Sequence, residues 1–429
     1  MGSSNNALDV LGTPLEGIKV LAMEQAVALP MATFHLAALG AEIIRVESPD
    51  RARANYLEHD LLRDKQRLGL NLSKPGAADL FRQLAREVDI VAHNFTPRVM
   101  RKFGIDYESI RQVKPEIIYL SITGFGSTGG WSDKPLFGPG AEAIAGNYQL
   151  IGEQEDWPGR PGTIVYADDN CGAHALVAVL AALERRDDTG VGSHLDVSLY
   201  ETSVSMLGPV ISERAVGGNF PTRSGNSDRR YAIHGVFPLN GLDRWIAVAV
   251  NNDQVLDCLD ILGLSPTSNY SNETIGEATR EMFGDDLVFR LQSANIDSHL
   301  VFDVADHFGD VKLQSRNYFS SMVWNDDRYP TKSTIWGGGI DLQPIPARDV
   351  GADNHGILRT LLGLAPAEIQ QLEAAEIIGC GIPAVEKESL QVSEQQTRID
   401  RRELTRIETN MSVRRFSEAG ETGGVGDDD

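Results

Sequence analysis

The order of the first apolar runs limits most strongly how this chain can fold. GIKVLAM (17–23) is short, apolar and bounded by turn residues, and reads as a buried strand. PMATFHLAALGA (30–41) follows with helical character, Pro30 near its start and Gly40 near its end. EIIRVES (42–48) is a second strand. Strand, helix and strand at this spacing predict a parallel pair joined by a right-handed crossover. The alternation continues. A helix is expected near 75–87 with Ser73 as its N-cap, then strand DIVAHN (89–94), a short helical stretch, and strands IIYLSITGFG (117–126) and HLDVSLY (194–200). Such alternation predicts an α/β chain with a doubly wound parallel sheet.

Further along the pattern changes. The chain turns polar and irregular over 209–230, which suggests a linker after a large domain at 12–208. GVFPLNGLDRWIAVAV (235–250) reads as two strands about a turn, with helical patterns to about 320, so 231–325 is expected to be a smaller α+β domain. A second linker is expected at 326–354. Helices follow over 355–415, strongest in HGILRTLLGL (355–364) and PAEIQQLEAAEII (366–378), and 416–429 is expected to be a disordered tail.

A net charge of −22 argues against nucleic acid as a partner. The charge is uneven: residues 45–114 carry 14 Lys/Arg against 10 Asp/Glu, so the remainder is more acidic still. That local excess is either chance or a face for an anionic ligand. Cys171, Cys258 and Cys380 are too few and scattered for a disulfide framework and lack metal spacing. MGSSNNALDVLGTPLEG has no basic start or apolar core, and no run reaches membrane-spanning length, so a soluble cytoplasmic protein is expected. No strand is followed by GxGxxG and no P-loop occurs. The glycine-dense GFGSTGGW (124–131) is either a plain turn or a place where backbone approaches a ligand at the carboxyl end of the sheet.

One stretch raises a chemical question. YADDNCGAH (166–174) sets two carboxylates directly before the apolar GAHALVAVLAAL, whose helix, expected at 172–186, should lie in the interior. One of Asp168, Asp169 and Asn170 can cap that helix. A second carboxylate there is desolvated unless paired, which makes it a candidate general base or nucleophile. No His or further carboxylate stands at ligand spacing to support a metal site. Cys171 reads as a small buried residue, and His174 as a partner for a core hydrogen bond.

Eight pieces of the sequence, in order from about Leu15 to Gly379, resemble the family III CoA-transferases, which include the formyl-CoA:oxalate, carnitine and bile-acid enzymes. They are LEGIKVL, ALGAEIIRVESP, RDKQRLGLNL, VDIVAHNFTPRVMRKFGIDYESI, PEIIYLSITGFGSTG, RPGTIVYADDNCGAHALVAVLAALERRDDTGVGSHLDVSLYE, DRWIAVAVNND and GADNHGILRTLLGL. In this family the catalytic aspartate stands four residues before a glycine that opens the buried helix. With Gly172 as that glycine, the resemblance assigns Asp168. It implies transfer of CoA from an acyl-CoA to a carboxylic acid, through mixed anhydrides and an aspartyl-CoA thioester, with no permanently bound cofactor. It also implies coenzyme A contacts among Lys65, Asn94, Arg98, Arg101 and Lys102, with Gly124 and Gly126 near the reacting end. The fold implied is a large Rossmann-like domain and a smaller one joined by long linkers, in a homodimer whose two chains interlock.

Two departures bear on specificity. The tetraglycine loop of the formyl-CoA transferases is replaced here by RSGNSDRRYAIHG, which argues against a formyl/oxalate pair. Where many members have Tyr-Asp and then Gln-Ala, this chain reads FGPGAEA, so Phe137, Gly138 and Glu142 alter the acceptor side. Glu142 either contacts the acceptor acid or pairs with a cation. The related α-methylacyl-CoA racemases need a histidine near Phe137, and no histidine lies between His93 and His174.

Overall fold

Six parallel strands form the main sheet: β1 (Lys19–Met23), β2 (Glu42–Glu47), β3 (Gln66–Gly69), β4 (Ile90–His93), β5 (Ile118–Thr123) and β6 (Ser193–Ser198). Their order is β3-β2-β1-β4-β5-β6. This computed structural model describes residues 13–51, 60–159, 165–218, 223–266, 270–324, 327–332 and 344–381. Strand order reverses between β1 and β4, and open sheets of this kind bind ligands beyond the carboxyl ends of the strands at such a reversal.

The apolar runs are continuous because both faces of the sheet are covered. Along β1, Val20 and Ala22 point into one core, while Leu21 and Met23 point into the other. The first core includes helices α1 (Ala28–Ala38) and α7 (Tyr166–Thr189). The second is closed by α2 (Ala77–Arg86), α3 (Pro97–Phe103), α4 (Tyr107–Val113), α15 (Asn354–Leu362) and α16 (Pro366–Ala374). Helices α5 (Gly138–Ala145), α6 (Asn147–Leu150), α8 (Leu199–Ser205) and α9 (Gly208–Ala215) complete the first half of the chain.

A three-stranded antiparallel sheet, β7 (Ile233–Pro238), β8 (Trp245–Val250) and β9 (Asp297–Val301), packs with α10 (Val255–Ile261), α11 (Asn272–Thr279) and α12 (Gly284–Ser293) around its own core. Then come α13 (Val304–Gly309), α14 (Val311–Ser315) and the hairpin β10 (Phe319–Trp324) and β11 (Asp327–Lys332). Two compact units result. Among described residues, the larger holds 13–147, 165–218 and 311–381, and the smaller holds 148–159 and 223–310. Thus 311–324, read from the sequence as part of the smaller domain, lies with the larger unit. Of the expected C-terminal helices, those over 354–374 are present, while 382–415 and the tail at 416–429 lie outside the described residues. Among described residues no helix is long and apolar enough to cross a membrane.

Four local expectations change. Ser73 does not cap α2: its N-cap is Gly76, in a left-handed conformation at φ 86° that favours glycine, and Ser73 bonds Asn71 instead. The helix read as 172–186 begins at Tyr166, so Asp168 and Asp169 lie inside its first turn and Val165 occupies the cap without a side-chain bond. Nor is α7 interior all round, since Val177 is exposed. His174 is exposed on that outer side and bonds the Asn170 carbonyl of its own helix at 2.9 Å.

Candidate active site

Asp168 is held by two helices. Gly172, one turn further along α7, lets α1 approach closely: a Cβ there would stand 2.8 Å from the Ala28 carbonyl oxygen and 2.9 Å from Met31 Cβ. That approach fixes α7 laterally. Its first turn lacks a side-chain cap of its own, so the free N–H of Ala167 is taken from outside the helix. Glu142 on α5 reaches across and its Oε1 accepts that proton at 3.0 Å. Asn170 ties the same turn to α8 by donating from Nδ2 to the Thr202 carbonyl at 2.7 Å.

The Asp168 carboxyl packs onto Gly138, the first residue of α5. A Cβ at 138 would lie 2.2 Å from Asp168 Oδ2 and 2.1 Å from Val165 Cγ1, so only glycine leaves room for this carboxyl. The position is electrostatically divided. An N-terminal helix end favours negative charge. Burial opposes it, with Asp169 and Glu142 adding like charge, and together they push the Asp168 pKa up to about 7. Asp168 is 7% exposed and Glu142 2%. Asp169, by contrast, is pushed up chiefly by burial while Lys332 holds it down, so it looks toward a cation that Asp168 lacks. Among described residues Glu142 pairs with no cation and its Oε2 has no hydrogen-bond partner. Burial pushes the neighbouring Cys171 thiol up to about 12, which leaves it un-ionised and a poor nucleophile.

The residues expected to meet coenzyme A fall into two groups. Asn94 follows β4 directly, at the strand-order reversal. Its Oδ1 accepts from the Gln25 N–H at 2.9 Å and its Nδ2 donates to the Gln25 carbonyl at 2.6 Å, joining the ends of β1 and β4. Arg98, Arg101 and Lys102 are exposed on α3, one short turn beyond. Asp133 accepts from the Arg98 backbone at 2.9 Å and from the Arg101 guanidinium at 3.2 Å, while Lys102 lies over the Phe103 ring. Arg98, Arg101 and Lys102 are thus three exposed cations on the helix that follows Asn94.

Lys65 does not join them. Its ammonium is buried and donates to Glu24 at 2.7 Å, Thr33 Oγ1 at 2.7 Å and the Pro30 carbonyl at 3.2 Å. All three protons are taken, and burial lowers its pKa to about 8.

Gly124 and Gly126 sit where β5 leads into the loop ending at α5. Gly124 admits Leu136, whose Cβ would be 2.6 Å from an added Cβ, and Gly126 has φ 84°. Phe137 is 68% exposed at the N-cap of α5. The sequence marks Gly138 only as a departure on the acceptor side; its close contact with the Asp168 carboxyl is visible only once α5 and α7 meet. Among described residues no cluster of three or more metal-ligating side chains occurs.

A family profile described as CoA-transferase family III matches residues 15–334. The beta subunit of succinyl-CoA–L-malate CoA-transferase from Chloroflexus aurantiacus is 25% identical over 402 residues, 85% of this chain and 98% of that protein. Succinate–glutarate CoA-transferase from Agrobacterium fabrum is 32% identical over 270 residues, 58% of this chain and 67% of that protein. A CaiB/BaiF family protein from Brucella suis has the same fold, with a TM-score of 0.74 at 25% identity over 82% of this chain and all of that one. A parallel sheet of this order, a buried aspartate at the start of a glycine-packed helix and a match over most of the chain lead to one conclusion: the protein is a transferase belonging to CoA-transferase family III.

Proposed function

We propose that the chain moves CoA from an acyl-CoA donor to a small carboxylic acid by covalent catalysis on Asp168. A carboxylate oxygen of Asp168 attacks the thioester carbonyl. The C–S bond breaks, CoA leaves as thiolate with the electron pair, and an anhydride joins Asp168 to the donor acyl group. The thiolate then attacks the aspartyl carbonyl, expels the donor carboxylate and leaves an aspartyl-CoA thioester. The acceptor carboxylate attacks that thioester, CoA leaves again, and a second anhydride forms. Attack of the thiolate on the acceptor carbonyl gives the new acyl-CoA and frees the Asp168 carboxylate. Charge and electrons balance with no redox step and no permanently bound cofactor.

The observation that carries this reading is the Asp168 carboxyl, buried against Gly138 with only acidic groups bearing on its charge. A carboxylate is a weak nucleophile in water because it is well solvated; in a dry seat it is not. In this proposal Asn94, Arg98, Arg101 and Lys102 receive the phosphates of CoA, the last three as cations, with Arg101 exchanging Asp133 for phosphate. Gly124 and Gly126 border the thioester end, and Phe137 and Glu142 border the acceptor acid. Lys65 acts only as internal support. The relatives are named for succinyl-CoA or succinate with malate or glutarate, so four- and five-carbon dicarboxylic acids are the first acceptors to try. The interlocked homodimer and a cytoplasmic setting belong to the same proposal.

The test is trapping. The protein is mixed with an acyl-CoA and hydroxylamine, and its peptides are weighed. A hydroxamate on Asp168 is expected. Efficient transfer with the adduct on Asp169, or with none, rules out Asp168 as the nucleophile.

A further inference from the structure

The end of β4 carries a hydrogen-bond chain that none of the steps above uses. His93, the last residue of β4, is buried, and its Nδ1 accepts from the backbone N–H of Phe95 at 3.3 Å. An amide N–H only donates, so Nδ1 is bare and the ring proton is on Nε2. Nε2 lies 2.9 Å from Ser121 Oγ on β5 and therefore donates to it. Among described residues the only other partner of the Ser121 hydroxyl is His194 Nε2 on β6, at 3.0 Å. Ser121 donates there, and His194 carries its proton on Nδ1. One backbone amide thus sets the direction of the whole chain.

The surroundings hold both rings neutral and in place. Burial pushes His93 down to about 3 and also lowers His194, against the nearby Asp196 and Glu108. His194 stacks on Tyr107 of α4 at 4.7 Å, and His93 meets Tyr119 edge-on at 5.4 Å. Tyr119 in turn donates to the Ile105 carbonyl, between α3 and α4, at 2.7 Å. The chain therefore grips the Asn94–Phe95 turn on one side and the α3–α4 connection on the other.

We propose that His93, Ser121 and His194 form a relay of fixed direction that positions the Asn94–Phe95 turn, and with it the cations of α3, for the nucleotide end of acyl-CoA. They are positioning residues and take no part in the chemistry proposed for Asp168. The inference rests on the reading that acyl-CoA docks at this turn, and the experiment separates the two.

Nitrogen NMR of the full chain labelled with ¹⁵N-histidine, assigned with His93→Gln and His194→Gln, should show His93 protonated on Nε2 and His194 on Nδ1 at pH 7. A proton on His93 Nδ1 overturns the relay. In the transfer assay Ser121→Ala should raise KM for acyl-CoA roughly 5- to 30-fold, with kcat and the acceptor KM within about twofold. Ser121→Thr, which keeps the hydroxyl, should restore it. An equal change in all three constants marks a merely structural residue and overturns the proposal. Calorimetry with CoA on Asp168→Ala protein removes the chemistry from the question. Adding Ser121→Ala should weaken binding by a similar factor, and unchanged binding overturns the positioning role. If Asp168→Ala protein with Ser121 intact binds no CoA, the docking reading itself fails.

Discussion

Two buried carboxylate sites within the larger unit have opposite surroundings. Glu24, just past β1, accepts from Lys65 at 2.7 Å, pairs with Arg45 at 3.3 Å and also accepts from Thr33. Arg45 continues to Glu47 at 3.0 Å, and Glu47 to Arg67 at 2.7 Å. Every charge there has a counter-charge. Asp168 is buried nearly as well, yet the charges bearing on it are Asp169 and Glu142, both acidic. Burying charge is tolerable when it is paired and hydrogen-bonded, and costly otherwise. In the proposed mechanism Glu24, compensated, serves structure, and Asp168, uncompensated, serves reaction.

Substitution should separate them. Asp168→Ala should reduce CoA exchange by at least roughly 10³-fold, since a covalent nucleophile has no substitute. Asp169→Ala should retain most of the activity. An active Asp168→Ala protein would place the nucleophile elsewhere. Lys65→Met tests the other site. It leaves Glu24 with Arg45 as its one remaining counter-charge among described residues in a buried position, and unfolding in denaturant should show a loss of about 3–5 kcal/mol. Combining it with Glu24→Gln should recover part of that loss. A near-neutral single variant would mean that water already reaches this cluster.

The third experiment sets stability against pH. A carboxyl whose folded-state pKa is raised holds its proton more tightly folded than unfolded. Its contribution favours the fold below its ordinary value near 3.8 and is lost as pH climbs to about 7. Ionised Asp168 therefore weighs against the fold at pH 8, by a few kcal/mol as an order of magnitude. Asp168→Asn should melt higher than the parent at pH 8 by several degrees, with the gap closing toward pH 4. A gap that stays constant with pH would show that charge is not its cause.

How much of this the sequence could show depends on where the partners lie along the chain. The β-α-β order was legible because each strand is apolar on both faces and each helix lies between strands. The choice of Asp168 over Asp169 as candidate nucleophile rests on resemblance alone, counted back from Gly172. Local spacing suggested that one of the three polar residues caps the helix, whereas the helix starts earlier and takes its cap from Glu142, 25 residues upstream of Ala167. The internal role of Lys65 was hidden for the same reason. Its partners Glu24 and Thr33 stand 41 and 32 residues away, and nothing in RDKQR distinguishes a buried ammonium from an exposed one. His93, Ser121 and His194 lie on three different strands and meet only through the sheet's register.

Glu142 gives the smallest and finest test, because it does two things to Asp168 at once. Its Oε1 holds the Ala167 N–H, and its charge helps raise the Asp168 pKa. Glu142→Gln keeps an acceptor oxygen and removes the charge. Burial, the largest cause, and Asp169 both stay, so the pKa should fall only part of the way, roughly 0.5–1 unit. In the proposed mechanism the anion is the nucleophile, so the acid limb of kcat/KM should move down by that amount. The variant should then outrun the parent near pH 6 and match it above pH 8. Glu142→Ala removes the acceptor as well, leaving a buried N–H without a partner at about 1–2 kcal/mol, so its kcat should fall at every pH. An acid limb that does not move in the glutamine variant would reduce Glu142 to a helix cap, and the uncompensated charge on Asp168 would then rest on burial and Asp169 alone.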